Sequence, residues 1–199
     1  MQYQKHIWKN VVAFHGHSCP GLALGMAVCL VALKELNLSS PKHISDQDDW
    51  SISKQDTYLL KSPDEEMLCI AETDACSLDA IQWIFSCTVG KGNLFLKLRG
   101  KHAYTFMHRP TKKAIRIIWD MNKAREKFPE REDLVHALLR GDANFYRVRN
   151  IEFNPPEKAH IAKSIPCSMC HEQTMDTMMR IKNGQLFCQD CFQNPSRIL

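Results

Sequence analysis

The 199-residue chain has no apolar run approaching the roughly 20 residues that a membrane-crossing helix needs. It also has no internal repeat and no low-complexity tract, and 44% hydrophobic with 24% charged residues excludes a disordered or fibrous polypeptide. The opening MQYQKHIWKN carries Lys5 and Lys9 without an apolar stretch or a small-residue cleavage site, so no secretory signal is expected there. These absences predict a cytoplasmic globular protein with no membrane partner, long enough for a core of its own and a small appendage.

Charge of one sign is scarce as well, with 26 Lys and Arg against 22 Asp and Glu. The excess lies wholly in residues 109–149, which hold 11 basic and 6 acidic side chains; residues 1–108 hold 10 and 11, and residues 150–199 hold 5 and 5. A nucleic-acid footprint needs a denser bias than this. Lys123 to Arg131 therefore reads as a solvated face, and nucleic acid is not the expected partner. Two catalytic signatures are missing too. There is no HExxH, whose glutamate activates water on a metal, and the GxxxxGK[ST] spacing of a nucleotide loop is absent around Gly90-Lys91-Gly92. Lys91 remains a residue that could hold an anion.

Cysteine is what the chain does have. Nine is an odd number, and a reducing compartment disfavours structural disulfides. Four cysteines form two CxxC pairs, Cys167/Cys170 and Cys188/Cys191, separated by seventeen residues. That is the spacing of a two-knuckle structural zinc site, in which four thiolates close a tetrahedron and leave no open position. The intervening MDTMMRIKNGQLF can form a hairpin turning at Asn183-Gly184. So short a segment has too little core to fold alone, so the ion supplies its folding free energy. His171 reads as a neighbour of this set, and the equal charge count of the segment weighs against nucleic acid.

The other cysteines are scattered through the first half. His15-Gly16-His17-Ser18-Cys19-Pro20-Gly21 places two imidazoles and a thiol just ahead of Leu22–Leu36, a stretch apolar on nearly every face and hence the expected buried central helix. Ser18 is a plausible N-cap there, with Pro20 tolerated in the first turn. A helix N-terminus and a neighbouring imidazole both favour thiolate at Cys19, and the same groups suit a zinc-type ion. Glu72-Thr73-Asp74-Ala75-Cys76 lies where the apolar strand Met67–Asp74 stops and the helix LDAIQWIF begins, with Ser77 as its cap. Glu72, Asp74 and Asp79 could ligate a metal, orient an imidazole or cap the helix, and capping is the simplest role for Asp79. Cys29 and Cys69 fall inside the helix and strand and read as small core residues.

The remaining pattern predicts a hairpin of NLFLKL and HAYTFMH about Arg99-Gly100-Lys101, a strand Ala114–Trp119, a helix Arg131–Arg140 closed by Gly141, and a strand YRVRNIEF, with Ser39–Asp49 an exposed loop. The expected fold is α+β, a mixed or antiparallel sheet packed on a buried central helix, plus a small four-cysteine zinc-finger domain. Asn154-Pro155-Pro156 marks the break, giving a core domain 1–153, a linker 154–165 and a finger 166–199.

Taken together, Phe14–Leu22, Glu72–Cys76 with Asp79–Gln82, Cys87-Thr88-Val89-Gly90-Lys91-Gly92-Asn93-Leu94, and Gly100-Lys101 through Phe106 resemble the FmdE family, the E subunits of formylmethanofuran dehydrogenase, over about residues 6–120. The resemblance implies an α+β domain, a homodimer, a possible molybdenum or tungsten enzyme complex as partner, and a metal cleft built from the His-Cys loop and later cysteines. Carried over by position, His17, Cys19, Cys76 and Cys87 are the ligand candidates, followed by His15, Asp74 and Lys91. Met26 departs from the arginine many members place after Gly25. The expected function is a metal-binding accessory or metal-handling protein with Zn or another divalent transition metal in the core and a structural Zn in the finger. One alternative is a metal- or thiolate-dependent redox or hydrolytic enzyme using Cys19, Asp74 or Lys91. Another is a zinc-ribbon regulator that senses metal.

Overall fold

The structure is a computed structural model describing residues 2–38 and 62–192; the expected loop Ser39–Asp49 lies outside them. The chain divides into two compact units, residues 1–158 and 159–199. No helix among the described residues is long and apolar enough to cross a membrane.

The first unit is α+β, its elements running α1 (Gln2–His15), α2 (Pro20–Glu35), β1 (Met67–Ala71), α3 (Ser77–Phe85), β2 (Leu94–Leu96), β3 (Ala103–His108), β4 (Lys113–Trp119), α4 (Met121–Lys127), α5 (Arg131–Arg140) and β5 (Tyr146–Asn150). Helix α2 is the apolar stretch of the sequence, buried from Leu22 to Cys29 and again at Val31, Ala32 and Leu33. It forms because nothing in it competes with the helix and every face finds a hydrophobic neighbour. The sulfur of Cys19, not the hydroxyl of Ser18, caps it, accepting from Leu22 N–H at 3.3 Å. Two helices escaped the sequence pattern. In α1 the buried Ile7 and Val11 stand four residues apart, one turn above the other on a single face. Helix α4 is opened by Asp120, whose carboxylate accepts from Lys123 N–H at 3.0 Å.

The five-stranded sheet has the order β2-β1-β3-β4-β5, parallel between β1 and β2 and antiparallel elsewhere. This corrects the expected hairpin of β2 with β3, because β1 lies between them. The reason is local. After β2 the backbone crosses the end of β1, with Lys97 N–H donating to the Ala71 carbonyl and both Arg99 and Lys101 N–H donating to the Glu72 carbonyl. The chain therefore passes around β1 and descends on its far side. One face of the sheet, including Cys69, Ala71, Tyr104, Phe106, Ile115 and Ile117, joins the core with α2 and α3. The opposite face gathers Leu68, Met107 and Ala114 with the later Ile151 and Phe153.

Helices α2 and α3 meet very closely. A Cβ on Gly25 would lie 2.7 Å from the Ser77 Cα and 2.8 Å from the Ala80 Cβ, and closer still to the Ser77 carbonyl oxygen. Ser77 is not the cap but the first residue of α3, fully buried, its hydroxyl accepting from Tyr104 O–H at 2.6 Å. Cys76 takes the N-cap position.

The second unit holds two hairpins, β6 (Ser164–Pro166) with β7 (Gln173–Met175), and β8 (Arg180–Lys182) with β9 (Gln185–Phe187). The latter turns at Asn183 and Gly184, both at positive φ (51° and 75°), the conformation of a two-residue type I′ turn. The first CxxC pair, Cys167 and Cys170, lies in the loop that joins β6 to β7, and the second, Cys188 and Cys191, follows β9 directly.

Replacing Gly25 by Ala should destabilise the first unit by about 3 kcal/mol, because the new methyl meets backbone that cannot rotate away. Urea unfolding of Gly25→Ala against the parent chain measures it, and a loss under about 0.5 kcal/mol would refute the close contact.

Candidate functional site

The backbone brings three ligand-type groups from three elements to one point. His15 is the last residue of α1, Cys19 caps α2 with its sulfur, and Cys76 occupies the N-cap position of α3. One nitrogen of His15 and the sulfurs of Cys19 and Cys76 all lie within 4.8 Å of one another. Gly21, one turn before Gly25, makes this possible: a Cβ there would stand 3.2 Å from the Cys76 Cβ, 3.7 Å from its sulfur and 3.9 Å from the Cys19 sulfur. Arg131 of α5 donates to the Ser18 carbonyl at 3.0 Å and holds the loop between the first two helices.

His15 is oriented from behind. Its Nδ1 is 2.6 Å from Asp79 Oδ2, and the other oxygen of that carboxylate accepts from Gln82 Nε2 at 3.1 Å. The carboxylate fixes the imidazole proton on Nδ1, so the lone pair of Nε2 faces the Cys19 sulfur, 3.7 Å away. A carboxylate, an imidazole and an ion in line is the recurring second layer of zinc-type sites, where it sets both tautomer and basicity. Asp79 thus serves as the orienting partner and not as a helix cap.

The donor set fits a thiophilic ion. With metal–nitrogen and metal–sulfur bonds of about 2.0 and 2.3 Å, a tetrahedron has nitrogen–sulfur edges of about 3.6 Å, against the 3.7 Å seen between His15 and Cys19. Three protein donors would leave a fourth position open, and Cys76 is the exposed member of the set. Burial, and then the neighbouring Cys19, pushes the Cys76 thiol up. A cation at the centre reverses that balance, because it favours both thiolates at once.

The other residues singled out from the sequence take different places. His17 lies against His15 in a tilted arrangement, ring centroids 4.6 Å apart, and stands exposed beside the site outside the three-residue group. The structure does not bring Cys87 to that group; it is fully buried, its thiol donating to the Met67 carbonyl at 3.5 Å, and burial pushes it up to about 12. Lys91 donates to the Ser62 carbonyl at 2.7 Å and the Ser86 hydroxyl at 3.3 Å, pinning the loop of its own motif. Asn93, buried in that loop, bridges Thr88, Met67 and Ser86. The Cys87–Asn93 motif is therefore a brace for the sheet. Asp74 is exposed in the turn before α3. Glu72 is engaged by Arg116 through two hydrogen bonds of 2.7 and 2.9 Å, and that guanidinium holds its carboxyl below the ordinary range.

In the second unit Cys167, Cys170, Cys188 and Cys191 form a four-sulfur group, also within 4.8 Å. The Cys170 and Cys188 sulfurs are 3.8 Å apart, matching the roughly 3.8 Å sulfur–sulfur edge of a tetrahedral zinc–thiolate site. Backbone N–H groups, foremost those of Cys170 and Cys188, pull the Cys167 thiol down to about 6, while the surrounding thiols push Cys191 up to about 12. A set this crowded ionises fully only around a cation. His171 leaves the turn at positive φ, 63°.

The fold and site together are those of an α+β core bearing a braced His-Cys-Cys group that could hold a metal, followed by a four-cysteine module that could hold another. The chain belongs to the FmdE family, described as molybdenum formylmethanofuran dehydrogenase operon, whose match covers residues 14–146. A probable S-adenosyl-L-methionine-binding protein of Archaeoglobus fulgidus is 25% identical over 204 aligned residues, covering 89% of this chain and 50% of that protein. The chain thus spans about half the length of that curated relative. The crystal structure of a tungsten formylmethanofuran dehydrogenase FmdE-like protein from Syntrophus aciditrophicus shares the fold, with a TM-score of 0.60 and 21% identity over 94% of this chain and 91% of that one.

If Asp79 orients His15 toward an ion, Asp79→Asn should weaken metal binding by the core 10–100-fold, whereas Cys87→Ser should leave it unchanged. Competition titration against a chromogenic chelator separates the two. Equal affinities for Asp79→Asn and parent would remove Asp79 from the site.

Proposed function

We propose that this chain is a metal-handling accessory protein of the FmdE type. Its core binds one thiophilic divalent ion, Zn2+ in the first instance, on His15, Cys19 and Cys76, and its last four cysteines hold a structural zinc. The observation that carries this reading is the convergence of one imidazole and two thiols within 4.8 Å, with Asp79 behind the imidazole. Family membership supports a metal-related role. An ion held there would supply Lewis acidity, and His17, with its ring 4.6 Å from that of His15, stands beside the site. The protein works in the cytoplasm as a homodimer beside a molybdenum or tungsten enzyme, the association carried in the names of the family and of the solved relative.

A second reading has its own observation. Asp79, His15 and Cys19 are aligned as orienting acid, base and nucleophile, with Cys19 at the start of a helix, as in thiol-dependent enzymes. In that case Cys19 forms a covalent adduct with an electrophilic substrate, and an ion would inhibit.

Elemental analysis decides between them. The metal reading expects about two ions per chain, about one in Cys19→Ser with little loss of fold, and about one in Cys167→Ser with the second unit unfolded. A single ion per parent chain, lost only with Cys167, would overturn the core site and favour the thiol enzyme.

A further inference from the structure

We propose that the core site is also a redox-active dithiol: without its ion, a hydroperoxide links Cys19 to Cys76, and the disulfide bars the metal from returning. The chemistry rests on geometry alone, while the consequence for metal rests on the metal reading above.

The two sulfurs lie within 4.8 Å of each other across a gap faced by a glycine, so no side chain stands between them. Their surroundings differ in a useful way. Cys76 is exposed at the start of α3; its side chain makes no capping hydrogen bond to the helix and is instead hydrogen-bonded to Cys19. Cys19 is buried, 7% exposed, and is held by the Leu22 N–H. An oxidant therefore reaches Cys76 first, and Cys19 is fixed where it can answer. The remaining thiols of the first unit, Cys29, Cys69 and Cys87, are fully buried and closed to a small oxidant.

The step balances with a hydroperoxide as the co-reactant. The Cys76 sulfur attacks the peroxide, the oxygen–oxygen bond breaks, and one water (or alcohol) leaves as Cys76 becomes a sulfenic acid. The Cys19 sulfur then attacks the Cys76 sulfur, a sulfur–sulfur bond forms, and the second water departs with the remaining thiol proton. Two electrons pass from the thiol pair to the peroxide. Closing the bond requires the sulfurs to approach to about 2.05 Å, a movement within reach of a rotation of the Cys76 side chain. The product has lost two of the three protein donors, so one two-electron oxidation converts a metal site into a site that cannot hold metal.

The test uses the full chain, reduced and chelator-treated, then exposed to a few equivalents of hydrogen peroxide, alkylated, digested and mapped by mass spectrometry. The expected result is a linked peptide pair containing Cys19 and Cys76, lighter by about 2 Da than the reduced pair, with loss of Zn2+ uptake by the core and its recovery after a thiol reductant. Peroxide should form no such link in Cys76→Ser. His15→Ala should lose core metal affinity yet still form the disulfide, which separates this proposal from the metal reading. Full alkylation of Cys19 and Cys76 after peroxide, or their conversion to sulfinic acids without a link, would overturn it. Failure of the reduced parent chain to take up core metal would instead count against the metal reading.

Discussion

The contact on which everything else depends is that of α2 with α3 at two glycines one turn apart. At Gly25 the helix backbone lies against Ser77 and Ala80 with no room for a methyl group, and at Gly21 it lies against Cys76. Two helices normally sit 8–10 Å apart, and only small residues allow the closer approach. Because α3 begins at that contact, its first residues are placed by it: Ser77 under the hydroxyl of Tyr104, Cys76 beside the sulfur of Cys19, and Asp79 within reach of His15. The site is thus a by-product of packing two apolar helices as tightly as their backbones permit.

That origin separates the two sulfur clusters of the chain. In the first unit the donors are in place for reasons unrelated to an ion, since Cys19 caps a helix, His15 rests on a carboxylate and Cys76 follows from the helix contact. Losing an ion there leaves the core of α2, α3 and the sheet standing. In the second unit the buried side chains among the described residues are few, chiefly Cys167, Cys188 and Met179, and two of those are sulfur donors. Its hairpins have little else to fold around, so binding of an ion there would be coupled to folding. An ion entering the first group would meet a preformed shape, whereas one entering the second would give that unit its shape.

Much of this was legible in the sequence, and where it was not, the causes are physical. Local periodicity and spacing revealed α2, β4, α5 and the two CxxC knuckles, because each is specified by neighbours in the chain. The pairing of β2 with β1 was hidden, since three residues of strand carry no mark of which partner they will choose, and hydrogen bonds from Arg99 and Lys101 to Glu72 decide it. The ligand candidates divided the same way. His15, Cys19 and Cys76 stand near helix ends where short-range signals are strong, but the role of Asp79 depends on a contact with a residue 64 positions earlier. Cys87 lies in as distinctive a motif as Cys76, and only the fold shows that its thiol points into the core while Asn93 and Lys91 of the same motif tie the loop together. Gly21 stood within the motif read from the sequence, but what it contributes, room for Cys76 where a side chain would stand, appears only in the fold.

The two outer strands of the sheet carry a consequence for solubility. An unpaired strand edge is a template on which another chain can be added. Here β2 ends the sheet after three residues, too short to nucleate a ladder, and β5 ends the other side with the exposed Arg147 and Arg149. A second strand docking on β5 would have to bring its own side chains beside that repelling pair. Among the described residues, the two edges of this sheet are therefore poor templates for open-ended growth, while the sulfur of Cys76 stays exposed.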